Sequence, residues 1–212
     1  KHRKERADQK KGKIFSSIIK ELITAVKMGG SDPKSNSKLR LILEKAKKAG
    51  VPKENIDRNI KKASSGSSEG YEEVIYELYG HGGVGILAIA LTDNKNRSAS
   101  SMRIATNKKG GSMGSPGSVS YNFEKKGILH VPKKDVSEED LFLILSESIA
   151  EDFEAEEEAF IVITKAEDLY TMKDFLEGHR LECDASLEYL AKSTVSCSKE
   201  DEEANFALIH FL

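Results

Sequence analysis

Apolar residues in the first quarter of the chain recur with the period of an α-helix. Within residues 15–28 they are spaced by three or four positions along one face, at Phe15, Ile18, Ile19, Leu22, Ile23 and Val26. Two further segments, 39–49 and 52–63, show the same period, and Gly29, Gly50 and Pro52 mark their boundaries. The pattern predicts a small three-helix unit, followed by a Ser- and Gly-rich linker over residues 64–70.

The period changes after residue 70. Segments 74–80 and 84–92 are typical of strands, and the second is apolar enough to predict a buried central strand. A helix is predicted from residue 96 to Gly110, and then two strands, 118–124 and 126–132, joined as a hairpin. This β-α-β-β order matches the first part of a ferredoxin-like sandwich.

The remaining chain alternates again between the two periods. The pattern predicts a helix at 137–153, a strand at 157–165, a helix at 166–179 and one or two strands within 181–197. A last helix begins near residue 199, with Phe206, Ile209 and Phe211 expected to be buried. The fold class is therefore predicted to be α+β, with a helical domain at the amino-terminal end.

A net charge of −2 conceals a strong separation of charge. Residues 1–70 carry 19 Lys and Arg against 8 Asp and Glu, whereas residues 132–212 carry 7 against 22. The cationic end attracts polyanions and the acidic end is repelled by them, which favours a nucleic-acid ligand bound in one orientation. The alternative is an ordinary solvated charged surface.

The candidate nucleic-acid-binding residues are the cations of the helical segments and of the stretch after residue 107. They are Lys1, Arg3, Lys4, Arg6, Lys10, Lys11, Lys13, Arg40, Lys45, Lys47, Lys48, Lys61, Lys62, Lys108 and Lys109. Residues 1–70 hold 15 lysines and 4 arginines. That balance favours phosphate contacts over the reading of base edges.

The stretch KKGGSMGSPGS at 108–118 has three interpretations. Residues 110–114 match GxSxG, and His81-Gly82-Gly83 resembles an oxyanion-hole loop, yet a nucleophile elbow needs a strand before it and a helix after it. The phosphate-loop patterns GxxxxGK[ST] and GxGxxG are absent. A flexible functional loop, comprising Gly110, Gly111, Ser112, Met113 and Gly114, and an ordinary connection after a helix both remain open.

Other chemistry finds little support in the sequence. The two cysteines and five histidines lack metal-ligand spacing, and no carboxylate pair stands apart from the acidic background. We therefore expect no catalytic residues, no metal, no cofactor and no small-molecule substrate. No apolar run approaches the roughly 18 residues of a membrane helix, so a membrane partner is not expected. The first residue is Lys1, and we expect the natural chain to begin upstream of it.

Four stretches together resemble the YebC/PmpR family, which includes a mitochondrial translational activator of cytochrome c oxidase subunit I. They are RKERADQKKGKIFSSIIKELITAVKMGGSDPKSNSKLR, KAKKAGVPKENIDRNIKKA, YELYGHGGVGILAIALTDNKNRSASSMR and KKGGSMGSPGSVSYNFEKKG, within residues 3–127. The acidic part is similar mainly in layout and in its ALIHFL ending. The family's usual GHSKW opening is missing, His81 stands where proline is common, and Ile89 replaces a commonly acidic residue.

The resemblance implies three domains and no enzyme activity. They are a basic helical domain at 1–70, a middle α+β domain at 71–131 completed by 195–212, and an acidic α+β domain at 132–194, the last two ferredoxin-like. Family members are described as DNA-binding transcriptional regulators and as ribosome-associated translation factors. Because lysine predominates over arginine, we favour a translation factor that binds ribosomal RNA, with a DNA-binding transcriptional regulator as the alternative.

The sequence says less about the cellular compartment and the oligomeric state. We expect the bacterial cytoplasm, or a mitochondrion or chloroplast if a leader precedes residue 1. The sequence leaves the oligomeric state open.

Overall fold

The computed structural model describes residues 2–67 and 70–212, and it describes side chains over 11–67 and 70–212. The chain forms two compact units. The first comprises Lys1–Val119 together with Val195–Leu212, and the second is Ser120–Thr194. Three helices precede two antiparallel sheets that are accompanied by further helices. The predicted α+β class with an amino-terminal helical region is thus confirmed.

The bounds of the elements are as follows. The described helices are α1 (His2–Gly29), α2 (Ser37–Ala49), α3 (Lys53–Ser64), α4 (Lys95–Lys108), α5 (Glu138–Ser146), α6 (Leu169–Gly178) and α7 (Lys199–Phe211). The strands are β1 (Glu72–Tyr79), β2 (Gly85–Thr92), β3 (Ser112–Met113), β4 (Phe123–Pro132), β5 (Asp152–Ala155), β6 (Ala159–Lys165) and β7 (Asp184–Ala191).

The three amino-terminal helices enclose one apolar core. Its members follow the predicted spacing, and they include Ile18, Leu22, Leu39, Ile42 and Ile56. α1 continues through the basic segment before Phe15 back to His2, so the observed helix is longer than the segment whose apolar face predicted it. Gly50 ends α2 in the left-handed conformation at φ 74°, which glycine adopts without steric cost.

Asn36 joins the end of α1 to the start of α2. Its Oδ1 accepts a hydrogen bond from the Leu39 amide at 3.0 Å and caps α2. Its Nδ2 donates to the carbonyls of Ala25 and Gly30, both at 2.8 Å. Because Asn36 is buried, these bonds satisfy polar groups that water does not reach.

The first unit also holds a three-stranded sheet in the order β2-β1-β3. β2 therefore lies at an edge, and the prediction of a central strand was wrong. Its apolar residues are mostly half-buried, and Ile89 is 49% exposed. A continuous apolar run shows that neither face of a strand carries charged residues. It does not show whether the strand lies at the centre or at the edge of its sheet.

The predicted hairpin over 118–132 is instead a 3-10 turn at Ser120–Asn122 followed by the single strand β4. Gly127 pairs with Thr164 of β6 and with Leu187 of β7. A Cβ on Gly127 would lie 2.8 Å from Thr164 Cγ2, so this glycine permits close packing and does not form a turn. Residues 120–131 accordingly belong to the second unit, whereas 71–131 were expected to form part of the middle domain.

The second unit has the element order β4-α5-β5-β6-α6-β7 and the sheet order β5-β6-β4-β7. All its strand pairs are antiparallel, as in a ferredoxin-like sandwich. The helix expected at 137–153 ends at Ser146, because β5 begins at Asp152 and pairs with β6. The ferredoxin-like order is complete in this unit, whereas the sequence pattern had placed its beginning in the preceding domain.

α7 turns a different face inward from the one predicted. Phe206, Ile209 and Phe211 are 56%, 48% and 42% exposed, while Asn205 and Leu208 are buried. The helix packs by the face that carries an amide, because that amide satisfies backbone groups of the turn after β1. The spacing of apolar residues cannot reveal such a polar contact.

Two general properties concern the described part of the chain. None of its helices is both long and apolar enough to cross a membrane. Cys183 and Cys197, both described, are not joined by a disulfide.

The three bonds of Asn36 generate a stability prediction. We expect Asn36→Ala to lower the free energy of unfolding by about 2 kcal/mol or more, because it removes a cap and two buried donors. Asn94→Ala is the matched control, since exposed Asn94 caps α4 through one bond to the Arg97 amide. We expect it to cost about 1 kcal/mol. Urea unfolding followed by circular dichroism measures both, and equal losses would show that the two donor bonds contribute nothing.

Candidate nucleic-acid interface

The predicted cations of the helical region lie on its outer surface wherever their side chains are described. Lys1 lies outside the described residues, and the side chains of Arg3, Lys4, Arg6 and Lys10 are likewise outside the description. The other members are all exposed, namely Lys11, Lys13, Arg40, Lys45, Lys47, Lys48, Lys61 and Lys62. They are distributed over α1, α2 and α3 and so form a broad surface.

These cations differ in how far they are engaged within the protein. Lys45 Nζ donates to both carboxylate oxygens of Glu21, at 2.8 and 2.9 Å, and so joins α2 to α1. Lys11 Nζ lies 5.5 Å from the ring centroid of Phe15. Lys47 and Lys61 lie in last turns, where a cation also stabilises the helix dipole. The ion pair with Glu21 therefore makes Lys45 less available for a phosphate contact.

The structure brings Lys108 and Lys109 together at the end of α4. Their Nζ atoms lie 5.3 and 4.9 Å from the ring centroid of Phe211 on α7. The ring's negative face stabilises both ammonium groups. This pair forms a compact cationic point at the base of the glycine-rich loop.

A clamp between α7 and the turn after β1 fixes the position of that base. Asn205 Oδ1 accepts a hydrogen bond from the His81 amide at 2.7 Å, and Asn205 Nδ2 donates to the His81 carbonyl at 3.0 Å. The His81 ring then hydrogen-bonds through Nε2 to the Lys109 carbonyl at 2.9 Å. His81, Lys109 and Asn205 are thus joined in one hydrogen-bond network.

The predicted functional loop is packed against its surroundings. Gly110 has φ 76°, and a Cβ there would lie 2.9 Å from the His81 ring. A Cβ on Gly111 would lie 2.9 Å from the Tyr79 carbonyl oxygen, and one on Gly114 would lie 2.4 Å from Ser118 Oγ. Ser112 and Met113 form β3 against β1. Residues 110–114 are therefore closely packed, and neighbouring atoms leave little room for a side chain at Gly110, Gly111 or Gly114.

Glu77 of β1 holds the rest of the loop. Its carboxylate accepts hydrogen bonds from the amides of Gly117 at 2.7 Å and Val119 at 3.0 Å. Its backbone carbonyl accepts a bond from the Gly114 amide at 2.8 Å. Ser115, Pro116 and Gly117 form a continuous exposed tip, which is presented on this hydrogen-bonded base.

The geometry gives no support to a nucleophile elbow. Residues 110–114 follow α4 and enter the edge strand β3, which is the reverse of the strand-to-helix order that an elbow requires. The hydrogen bond shown for the His81 ring goes to a backbone carbonyl. Across side chains 11–67 and 70–212, His, Cys, Asp and Glu form no group that could hold a metal ion.

Sequence reasoning missed three residues that organise this region, namely Glu77, Asn205 and Phe211. Glu77 lies within a segment for which the pattern predicts only a strand, and Phe211 was expected to be buried. Asn205 lies 124 residues from His81, so no local pattern links them. The sequence does offer one signal, namely the many glycines at 80–85 and 110–117. They indicate that other atoms approach the backbone closely in these two segments.

Comparison with known families covers nearly the whole chain. Residues 1–66 match the TACO1/YebC protein N-terminal domain, and residues 71–212 match the TACO1/YebC second and third domain. The chain belongs to the TACO1/YebC family. The Glu77 bonds and the Asn205 clamp both lie within the second of these matched regions.

Bacterial proteins are similar to this TACO1/YebC family member along its full length. A "probable transcriptional regulatory protein" of Protochlamydia amoebophila is 54% identical over 213 residues, covering 100% of this chain and 87% of the relative. One of Chlamydia pneumoniae is 56% identical over 214 residues, covering 100% and 90%. The crystal structure of a conserved hypothetical protein from Aquifex aeolicus matches with a TM-score of 0.85 and 43% identity, covering 94% of this chain and 84% of that one.

The carboxylate of Glu77 generates the prediction for this site. We expect Glu77→Gln to raise the hydrogen-exchange rates of the Gly117 and Val119 amides by about tenfold or more, because a neutral amide oxygen accepts hydrogen bonds more weakly than a carboxylate does. Glu73→Gln is the control, since Glu73 is an exposed glutamate on the same face of β1. Amide exchange measured by NMR decides the matter, and unchanged rates in the Glu77 variant would show that the loop is held by other contacts.

Proposed function

We propose that this protein is a non-enzymatic, nucleic-acid-binding regulator of gene expression, and that it acts as a ribosome-associated translation factor in the bacterial cytoplasm. The observation that carries the proposal is the lysine-rich outer surface of the helical region, set against the acidic remainder of the chain. The relatives reported above are bacterial and are named as regulators, which agrees with this class of function.

The chemistry of the basic surface favours contacts with phosphates. An ammonium group on a flexible stem neutralises phosphate as a point charge, whereas the planar guanidinium forms bidentate contacts with base edges. With 15 lysines against 4 arginines in residues 1–70, the surface is suited to recognising a folded polyanion by its shape. Folded ribosomal RNA presents phosphates at many orientations and matches a surface spread over three helices.

The acidic second unit limits the kind of polyanion that the protein can bind. Residues 120–194 carry 19 Asp and Glu against 8 Lys and Arg. One of its cations is itself engaged, since Lys126 Nζ lies 2.6 Å from Glu151 and 3.3 Å from Glu124. The hydrogen bond that Lys126 Nζ donates to the Glu151 carboxylate is the main cause that raises the pKa of Lys126 above its ordinary value. This unit is repelled by nucleic acid and would face solvent or a basic protein of the ribosome.

In this proposal the loop tip at 115–117 reaches a functional centre of the ribosome while Lys108 and Lys109 bind phosphate beside it. The packing of Gly111 and Gly114 supports a rigid projection. Bulky substitutions at those two glycines would collide with Tyr79 or Ser118 and disturb the fold. A functional test of the loop therefore belongs at the exposed residues Ser115 and Pro116.

A DNA-binding transcriptional regulator is the second candidate. The names of the two bacterial relatives favour it, since both are called probable transcriptional regulatory proteins. Phosphate contacts by lysine serve either nucleic acid, and sequence selection on DNA would then have to come from the few arginines or from DNA shape.

Ultraviolet crosslinking in growing cells, followed by sequencing of the attached nucleic acid, separates the two candidates. We expect crosslinks concentrated in ribosomal RNA, because the basic surface suits its folded phosphates. Enrichment of a few promoter DNAs with ribosomal RNA at background would instead establish the transcriptional regulator.

Charge reversal tests the basic surface directly. We expect Lys11→Glu with Lys13→Glu to weaken binding to every RNA or DNA tested, and to reduce the slope of log affinity against log salt by about 1 to 2. The matched control is Lys134→Glu with Lys165→Glu, which makes the same change of charge at exposed positions of the second unit. Fluorescence anisotropy at several salt concentrations measures both. Loss confined to one sequence, with an unchanged slope, would contradict a phosphate-binding role.

A further inference from the structure

The second unit exposes a cluster of large apolar side chains beside α5. Phe142 and Leu143 are 60% and 64% exposed, and Phe153 of β5 lies next to them half-buried. Together with Ser137, Glu138 and Glu139 these residues line one open depression, which we call the α5 groove. α5 already buries Leu141 and Leu145 on its inner face, so the exposed pair is not needed for its packing.

The floor of the α5 groove is formed by a series of aromatic rings in contact with one another. The centroids of Phe142 and Phe153 lie 6.5 Å apart, and those of Phe153 and Phe160 lie 6.2 Å apart with the rings edge to face. Phe160 is 3% exposed and belongs to the core of the unit. The exposed Phe142 ring thus contacts Phe153, which in turn contacts the buried Phe160. Because this apolar surface is formed before binding, it loses little conformational entropy when a ligand covers it.

The surroundings of the α5 groove are strongly acidic. Glu138 and Glu139 line it, and the exposed carboxylates Asp140, Asp152 and Glu154 belong to the same two elements, α5 and β5. Lys133, whose Nζ lies 5.3 Å from the Phe160 centroid, and Lys134 are the neighbouring cations in sequence. The acidic residues repel nucleic acid and anionic lipid, and they attract a cationic ligand.

We propose that the α5 groove docks a lysine- or arginine-rich segment of a partner protein that carries large apolar anchors. The anchors would cover Phe142, Leu143 and Phe153, and the cations would pair with Glu138 and Glu139. Apolar contact at the centre and opposite charge at the rim is the arrangement of a specific protein interface. The site is separate from the basic surface, so one molecule can hold nucleic acid by its helical region and a basic protein by its second unit.

A labelled helical peptide with leucine on one face and lysine on the other is the probe, used with the full chain described above. We expect the protein to bind it in a fluorescence anisotropy titration. Phe142→Ser with Leu143→Ser should weaken this binding at least about tenfold, because it removes the central anchors. Leu187→Ser, an exposed apolar residue on β7 of the same unit, should leave it unchanged.

The acidic rim is tested separately. Glu138→Gln with Glu139→Gln should weaken binding of the same peptide and reduce its dependence on salt, whereas Glu167→Gln with Glu182→Gln, exposed glutamates elsewhere in the unit, should not. Because Phe142 contacts Phe153, the single variant Leu143→Ser is a second measure that spares the ring stack. Circular dichroism verifies that each variant is folded.

Three results would overturn the proposal. Equal binding of a scrambled peptide of the same composition would reduce the effect to unspecific charge attraction. Equal binding by the Phe142/Leu143 variant would show that the peptide binds elsewhere. A dimer in sedimentation experiments that the same variant abolishes would make a second copy of this chain the occupant of the α5 groove.

Discussion

The two hydrogen bonds between the Asn205 side chain and the His81 backbone are the constraint on which the candidate loop depends. They fix the turn after β1, and the His81 ring in turn holds the Lys109 carbonyl. The end of α4, the two lysines over Phe211 and the start of the glycine-rich loop take their positions from this arrangement. A buried amide with both its groups satisfied specifies one geometry, because any displacement leaves polar atoms without partners.

The two surfaces of the molecule result from different physical causes. The basic surface arises because the three amino-terminal helices bury one face and leave their lysines to solvent. The α5 groove arises because α5 carries apolar residues on two faces while the sheet beneath it covers one. A charged face is the ordinary result of solubility, whereas an exposed aromatic cluster costs solubility and so has the stronger requirement for a partner.

Local pattern was sufficient for the three amino-terminal helices and for the class of the fold. The apolar spacing in α1, α2 and α3 reports the buried face directly, since each helix meets one core. It was insufficient where tertiary contacts decide, as for edge strand β2, for the unbroken β4 through Gly127, and for the inward face of α7. At the candidate site, the lysines and glycines could be found from sequence, but Glu77 and Asn205 could not, because their partners are 40 and 124 residues away.

The second unit is inserted in sequence between the two parts of the first, since residues 120–194 separate Val119 from Val195. During synthesis the inserted unit is therefore complete before α7 has been made. The clamp on His81 and the aromatic ring beneath Lys108 and Lys109 are both supplied by α7. The loop base thus acquires its final geometry only after α7 has been made, and a nascent chain without α7 would carry an incomplete loop base.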